Sequence, residues 1–249
     1  KMKVRMAVEW PLVHRKTWEK LGLRAPRGIL LHGPPGCSKT TIARAIASQS
    51  GLTFQKLSGA DIFSCYLGEA ERILREAFAL ARAVSPSVLF IDEIDTIVGK
   101  RDAAGGASEG NLVRERVLST FLNEMDGMSS CAGVLVVAAT NRLDLMDAAL
   151  LRPGRFDDII EVPYPAEAER AAILRIHSKR LPLARGGGGC GADDDAENCG
   201  AAAAAGGMRE TMVTALAART AGWSGAELAA LCKEAAMEAL RERRAGAVV

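Results

Sequence analysis

The sequence predicts an α/β protein: a parallel sheet sandwiched by helices over residues 1–165, then a small all-helical domain over 166–249. Three observations predict it. Short apolar runs alternate with helical patterns as far as Pro165, such runs stop beyond it, and a glycine-rich loop joins the first run to the first helix. Residues 1–27 are mixed and polar, with an amphipathic stretch around Met6 to Trp10 that Pro11 stops. The runs at 28–33 (GILLHG), 52–57 (LTFQKL), 87–92 (SVLFID), 133–139 (GVLVVAA) and 158–162 (DIIEV) have the length and branching of strands. They are largely continuous rather than alternating, which marks strands covered on both faces and hence a mostly parallel sheet. Between two of them, apolar residues at 70, 73, 74, 77, 78, 81 and 84 fall on one helical face. After Pro165, helices are predicted over 166–180, 208–220 and from Ser224 to about Arg241. The last opens with a Ser224/Glu227 capping box and carries apolar residues at 228, 231, 232, 235, 236 and 239. Residues 186–207 hold eight Gly and seven Ala beside Asp193–Asp195, Cys190 and Cys199. That composition predicts a flexible insertion in the helical domain, and a solvated loop in preference to a metal site.

Composition narrows the function classes. The 249 residues carry Lys+Arg 32 against Asp+Glu 30, a net charge of +2, too balanced for a dedicated nucleic-acid binder. Aromatics are only 4%, so the core must be aliphatic. The longest apolar run, Cys131 to Ala139, is far short of the ~18–20 residues that cross a bilayer as a helix. Six cysteines (37, 65, 131, 190, 199 and 232) show no CxxC spacing, which fits thiols in a reducing compartment. The chain opens at Lys1 without a signal peptide, as a segment of a longer protein would.

The chemistry lies in two motifs. In GPPGCSKT, Gly33, Pro34, Pro35, Gly36, Cys37 and Ser38 form the loop, and Lys39, Thr40 and Thr41 open the helix. Glycines let the backbone wrap an anion, loop N–H groups face phosphates, and the helix N-terminus adds its dipole. Lys39 would reach the β/γ-phosphates and the Thr40 hydroxyl would ligate Mg²⁺. The strict pattern wants Gly before the Lys, where this chain has Ser38. The second motif, VLFIDEID (88–95), sets Asp92 and Glu93 at the end of a buried strand, where open α/β sheets bind ligands. Asp92 suits Mg²⁺, directly or through water, and Glu93 suits polarising the attacking water. Together they predict a P-loop NTPase sheet and an ATPase using ATP and Mg²⁺.

With those residues placed, the chain resembles the AAA family of ATPases over nearly its whole length. VVAATNR (136–142) is similar to the family's sensor strand, which implies Asn141 against the γ-phosphate and the lytic water. LLRPGRFD (150–157) resembles its second region of homology, implying that Arg152 and Arg155 are arginine fingers reaching the neighbouring subunit's site. WSGAELAALCKEAA (223–236) resembles the lid helix, implying Gly225 and Ala226 near the base, and His177 in ILRIHSKR matches a position that touches the ribose. Tyr66, Leu67 and Gly68 resemble the first pore loop, where an aromatic grips a threaded polypeptide, and Gly99 to Gly110 would be the second.

The resemblance therefore implies a hexameric ring of identical subunits that remodels proteins; the short apolar runs predict no membrane span, and the balanced charge disfavours direct nucleic-acid binding. AVEWPL and GCSKT look like the second module of the spermatogenesis-associated/ribosome-maturation branch, near valosin-containing protein. That implies release of factors from pre-ribosomal particles in the cytoplasm, with nucleus and mitochondrion left open. Asp158 (commonly Arg), Ala70 (commonly Ser), Ser38 and the Gly/Ala insertion depart from the family pattern. Ser38 and Asp158 keep a second reading alive, a non-hydrolysing scaffold whose nucleotide cements a ring; a nucleic-acid motor stands third.

Overall fold

The computed structural model describes residues 27–63, 68–98, 109–128, 133–179 and 200–246. The expectations for residues 1–26, Tyr66, Leu67, residues 99–108 and residues 186–199 lie outside them. Contacts divide the chain into two compact units, Lys1–Val162 and Pro163–Val249.

The first unit runs β1 (Gly28–His32), α1 (Lys39–Gln49), β2 (Thr53–Ser58), α2 (Gly59–Phe63), α3 (Glu69–Ala83), β3 (Ser87–Asp92), α4 (Ile94–Val98), α5 (Glu109–Gly127), β4 (Val134–Thr140) and β5 (Phe156–Glu161). The five strands form one sheet in the order β2-β3-β4-β1-β5, and every pairing is parallel. β1 thus lies between β4 and β5, with His32 opposite Thr140 on one side and Glu161 on the other.

Strand alternation builds a core on each face of the sheet. Leu30, Leu89, Ile91, Val136 and Ala138 point to one side, where Leu74 and Phe78 of α3 and Phe121 and Met125 of α5 cover them. Ile29, Leu31, Val88, Phe90, Leu135 and Val137 point to the other, against Ala43, Ile46 and Ala47 of α1. Phe121 sits between Phe78 and Phe156, with ring centroids at 5.7 and 6.2 Å. The helical face expected over 70–84 is real: Ala70, Leu74, Phe78 and Ala81 are buried, while Val84, beyond the helix, is exposed.

Two boundaries in this unit need correction. β5 begins at Phe156, two residues before the expected run, because an edge strand can carry exposed Asp157 when its alternate residue, Phe156, is buried. Glu109 and Gly110, expected in a loop, start α5.

In the second unit, α6 (Glu167–Ser178), α7 (Gly200–Arg219) and α8 (Gly225–Gly246) pack around Leu174, Val213, Ala217 and Leu228. Arg170 is buried with no carboxylate partner among the described residues; its guanidinium donates to the Ala217 carbonyl from Nε (3.0 Å) and Nη2 (2.8 Å) and to the Pro165 carbonyl from Nη1 (2.9 Å). A cation at the carboxyl end of α7 also suits the helix dipole. The capping box of α8 is present, with Ser224 N donating to Glu227 Oε2 (2.6 Å) and Glu227 N to Ser224 Oγ (3.3 Å). Charge-assisted bonds from Ser224 hold the Glu227 carboxyl below its ordinary range.

Here too the sequence expectation is revised. α7 starts at Gly200, eight residues before Met208, because the alanines at 201–205 are the strongest helix formers. Of the apolar face expected on α8, Leu228 is buried and Leu231, Cys232 and Ala236 partly so, but Ala235 and Ala239 are exposed. No helix among the described residues is long and apolar enough to cross a membrane.

Candidate active site

The carboxyl ends of β1, β3 and β4 are neighbours in the sheet, and each leads into one of the sequence motifs. After β1 the chain turns sharply. Gly33 has φ +149, and a Cβ there would strike the Val162 carbonyl. Gly36 (φ 75) and Ser38 (φ 60, ψ 31) are both left-handed. Ser38 therefore adopts a conformation that favours glycine and costs a side-chain-bearing residue roughly 1–2 kcal/mol; the motif's preference for Gly is a backbone requirement. The Ser38 carbonyl accepts the first helical bond, from Ile42 N at 2.9 Å. The first turn of α1 holds no acidic residue, so its dipole is left for an anion.

Lys39 occupies the centre. It is 8% exposed, and its ammonium donates to the carbonyls of Gly33 (2.9 Å) and Pro34 (3.0 Å) and to Asn141 Oδ1 (2.7 Å). Burial lowers its pKa, and the nearby Cys37, Asp92 and Asp95 partly offset this. One residue on, Thr40 Oγ1 donates to Asp92 Oδ2 at 2.8 Å. Lys56 on β2 approaches the same oxygen at 3.3 Å. Helix start, β3 end and β4 end are thus joined through two side-chain pairs, Lys39–Asn141 and Thr40–Asp92, and the loop through the Lys39 bonds to its carbonyls.

Glu93 follows Asp92 with φ 52 and an exposed side chain. Its carbonyl accepts from Thr96 Oγ1 (2.7 Å) and Thr96 N (3.1 Å), which starts α4. Gly59 packs against this turn so closely that a Cβ would collide with Thr96 Oγ1 and the Glu93 carbonyl. At the end of β4, Thr140 Oγ1 donates to Asp95 Oδ1 (2.9 Å) and accepts from Arg142 N (3.0 Å).

Pro35, Gly36, Ser38 and Thr41 face outward from the loop and helix start, whereas Cys37 is buried. Arg152 and Arg155 are elsewhere. Arg155 directly precedes β5, and its carbonyl crowds Gly28 at the start of β1. Its guanidinium donates to both carboxylate oxygens of Asp126 (3.1 and 2.9 Å) and to the Ala149 carbonyl (2.7 Å). That bond holds the Asp126 carboxyl below its ordinary range. Arg152 is exposed. Gly68 caps α3 at φ 86. His177, at the end of α6, and Gly225 and Ala226, at the start of α8, belong to the second unit.

The donor set can hold a nucleotide polyphosphate and a hard cation. The loop and helix start offer backbone N–H groups and an ammonium to phosphate oxygens. The Thr40 hydroxyl and Asp92 carboxylate, already within 2.8 Å, are oxygen ligands of the kind Mg²⁺ takes. Sequence reasoning missed Lys56, Gly59, Asp95, Thr96, Asp126 and Thr140. Their only signal is position beside a motif, since strand register decides what they touch.

Comparison with known proteins shows the family. Residues 29–164 match the ATPase family associated with various cellular activities (AAA), and residues 212–248 match the AAA+ lid domain. The chain belongs to the AAA ATPase family. Similar AAA proteins include ATPase family gene 2 protein homolog A of Homo sapiens, 42% identical over 97% of this chain and 24% of that protein. Cell division control protein 48 homolog B of Arabidopsis thaliana is 43% identical over 100% of this chain and 37% of its own. The 26S proteasome regulatory subunit 8 homolog of Schizosaccharomyces pombe is 40% identical over 97% of this chain and 54% of its own. The chain thus spans about a quarter to about a half of these relatives.

Lys39→Ala removes the ammonium and should weaken ATP binding by about 10²–10⁴-fold, the worth of two charge-assisted bonds at ~1.5–3 kcal/mol each. Titration with a fluorescent ATP analogue reads this directly. Undiminished binding would remove Lys39 from the phosphate site.

Proposed function

We propose that this AAA module hydrolyses ATP with Mg²⁺ in a hexameric ring of identical subunits, and that turnover drives unfolding or remodelling of a polypeptide. The carrying observation is the distance between its two halves. β1 separates the Arg155 backbone, beside Gly28, from the phosphate loop at Gly33; at ~3.3 Å per residue that is roughly 16 Å. Arg155 is moreover turned to Asp126 and Ala149. This separation supports a role for Arg155, and for the adjoining Arg152, at a site on another copy, so that assembly would complete the chemistry.

Lys39 and the loop N–H groups bind the β/γ-phosphates, and Thr40 and Asp92 would hold Mg²⁺. Once bound there, Mg²⁺ supplies charge neutralisation on the phosphate oxygens. Glu93 orients the attacking water and takes its proton on a carboxylate oxygen. Asn141, tied to Lys39, keeps the attacked end of the nucleotide in register. Arg152 and Arg155 of the next subunit stabilise the developing charge. Tyr66, Leu67 and Gly68 grip the polypeptide in the ring's channel.

Release of factors from pre-ribosomal particles in the cytoplasm is the finer form of the proposal. It rests on the branch resemblance and on relatives named for ATPase family gene 2; cosedimentation of a Glu93→Gln trap with pre-ribosomal particles decides it.

The test of the core proposal is ATP hydrolysis per subunit across a wide range of protein concentration. Specific activity should climb with concentration and vanish when Mg²⁺ is chelated. Activity that stays near zero at every concentration while nucleotide binds would favour the scaffold reading.

A further inference from the structure

Thr140 is the last residue of β4, 1% exposed, and its hydroxyl has two partners. It donates to Asp95 Oδ1 at 2.9 Å and accepts the Arg142 amide at 3.0 Å. The two partners flank different motifs. Asp95 stands in the first turn of α4, two residues after Glu93; Arg142 follows Asn141. One buried hydroxyl therefore bridges the turn that carries Glu93 and the backbone that carries Asn141. Each end is also anchored independently. The Glu93 carbonyl is held by Thr96 and crowded by Gly59, and Asn141 Oδ1 accepts from Lys39. The β3–β4 ladder does not reach this far, since its register ends at Ile91 opposite Ala138, and Thr140 and Asp92 pair instead with His32 and Ser58 on the outer sides. Beyond that last pair, no direct β3–β4 pairing fixes Glu93 relative to Asn141.

We infer that Asp95 and Thr140 are positioning residues that hold Glu93 and Asn141 in mutual register for attack on the nucleotide. The inference rests on the ATPase reading of the site. Neither residue touches phosphate in this scheme, so their loss should lower turnover and leave nucleotide affinity alone. A buried threonine that merely filled space would behave differently: valine, its isostere, would serve as well.

The experiment compares wild type with Thr140→Val, Thr140→Ser and Asp95→Ala, with Glu93→Gln as the control on the chemistry. Thr140→Val and Asp95→Ala should each lower kcat about tenfold, the worth of one positioning hydrogen bond, with KM for ATP within about twofold. Thr140→Ser, which keeps the hydroxyl, should restore kcat. Amide exchange at Arg142 should quicken in Thr140→Val and return to normal in Thr140→Ser. A kcat within about twofold of wild type in both truncated variants would overturn the inference. So would a rise in KM that matches the fall in kcat, or a failure of serine to rescue. If Glu93→Gln turns over like wild type, the assignment of Glu93 as the base is what fails. Arg142 exchange still decides the hydroxyl bridge, and unchanged exchange in Thr140→Val would overturn it.

Discussion

Replacing Arg152 and Arg155 together by alanine should lower ATP turnover by about 10³–10⁵-fold, the range that an arginine finger supplies in phosphoryl transfer. Nucleotide affinity should survive, because neither side chain is near the loop around Lys39 on its own chain. The informative experiment is mixing. Subunits lacking the arginines keep Glu93, and Glu93→Gln subunits keep the arginines, so each is inactive by itself. Mixed in one ring, they form interfaces with both groups intact, and a fraction of the activity should return. If mixing restores nothing, the arginines do not act across an interface. Single substitutions should differ in one respect. Arg155 also bridges Asp126 and Ala149, so Arg155→Ala should lower the melting temperature as well, whereas exposed Arg152→Ala should not.

Glu93→Gln should bind ATP as tightly as wild type and lose about 10²–10⁴-fold in turnover, the contribution of a positioned general base. Glutamine has nearly the same shape but cannot accept the proton. The position is suited to a clean result. The Glu93 side chain is exposed and its main chain alone starts α4, so the amide leaves the fold intact. Rapid mixing with radiolabelled ATP, followed by acid quench, separates bound from hydrolysed nucleotide. Hydrolysis at the wild-type rate would move the base elsewhere in the site.

The parts of this architecture that sequence made legible are those governed by local rules. The runs that became β1, β3 and β4 stood out because both faces are buried, so no polar residue interrupts them. The α3 face followed from spacing, and the phosphate loop from its glycines. The start of β5 lies two residues before the expected run because Asp157 sits inside an edge strand, and that of α7 eight residues before because its alanines adjoin a glycine tract. Cross-strand partners were invisible. Thr140 meets Asp95, and Arg155 meets Asp126, only because the strand order brings distant segments together. Lys56 meets Asp92 for the same reason. No periodicity encodes those pairs.

The strand order also shapes how the chain is made. β1 is synthesised first, yet both its neighbours, β4 and β5, come from residues 134–161. GILLH therefore waits without a partner while about a hundred residues emerge, roughly 5–20 s at ~5–20 residues per second. Until then its apolar faces and its open ladder are available to a holdase or to another nascent chain. The phosphate loop hangs from that waiting strand, so nucleotide cannot help the chain fold until nearly the whole sheet has been translated.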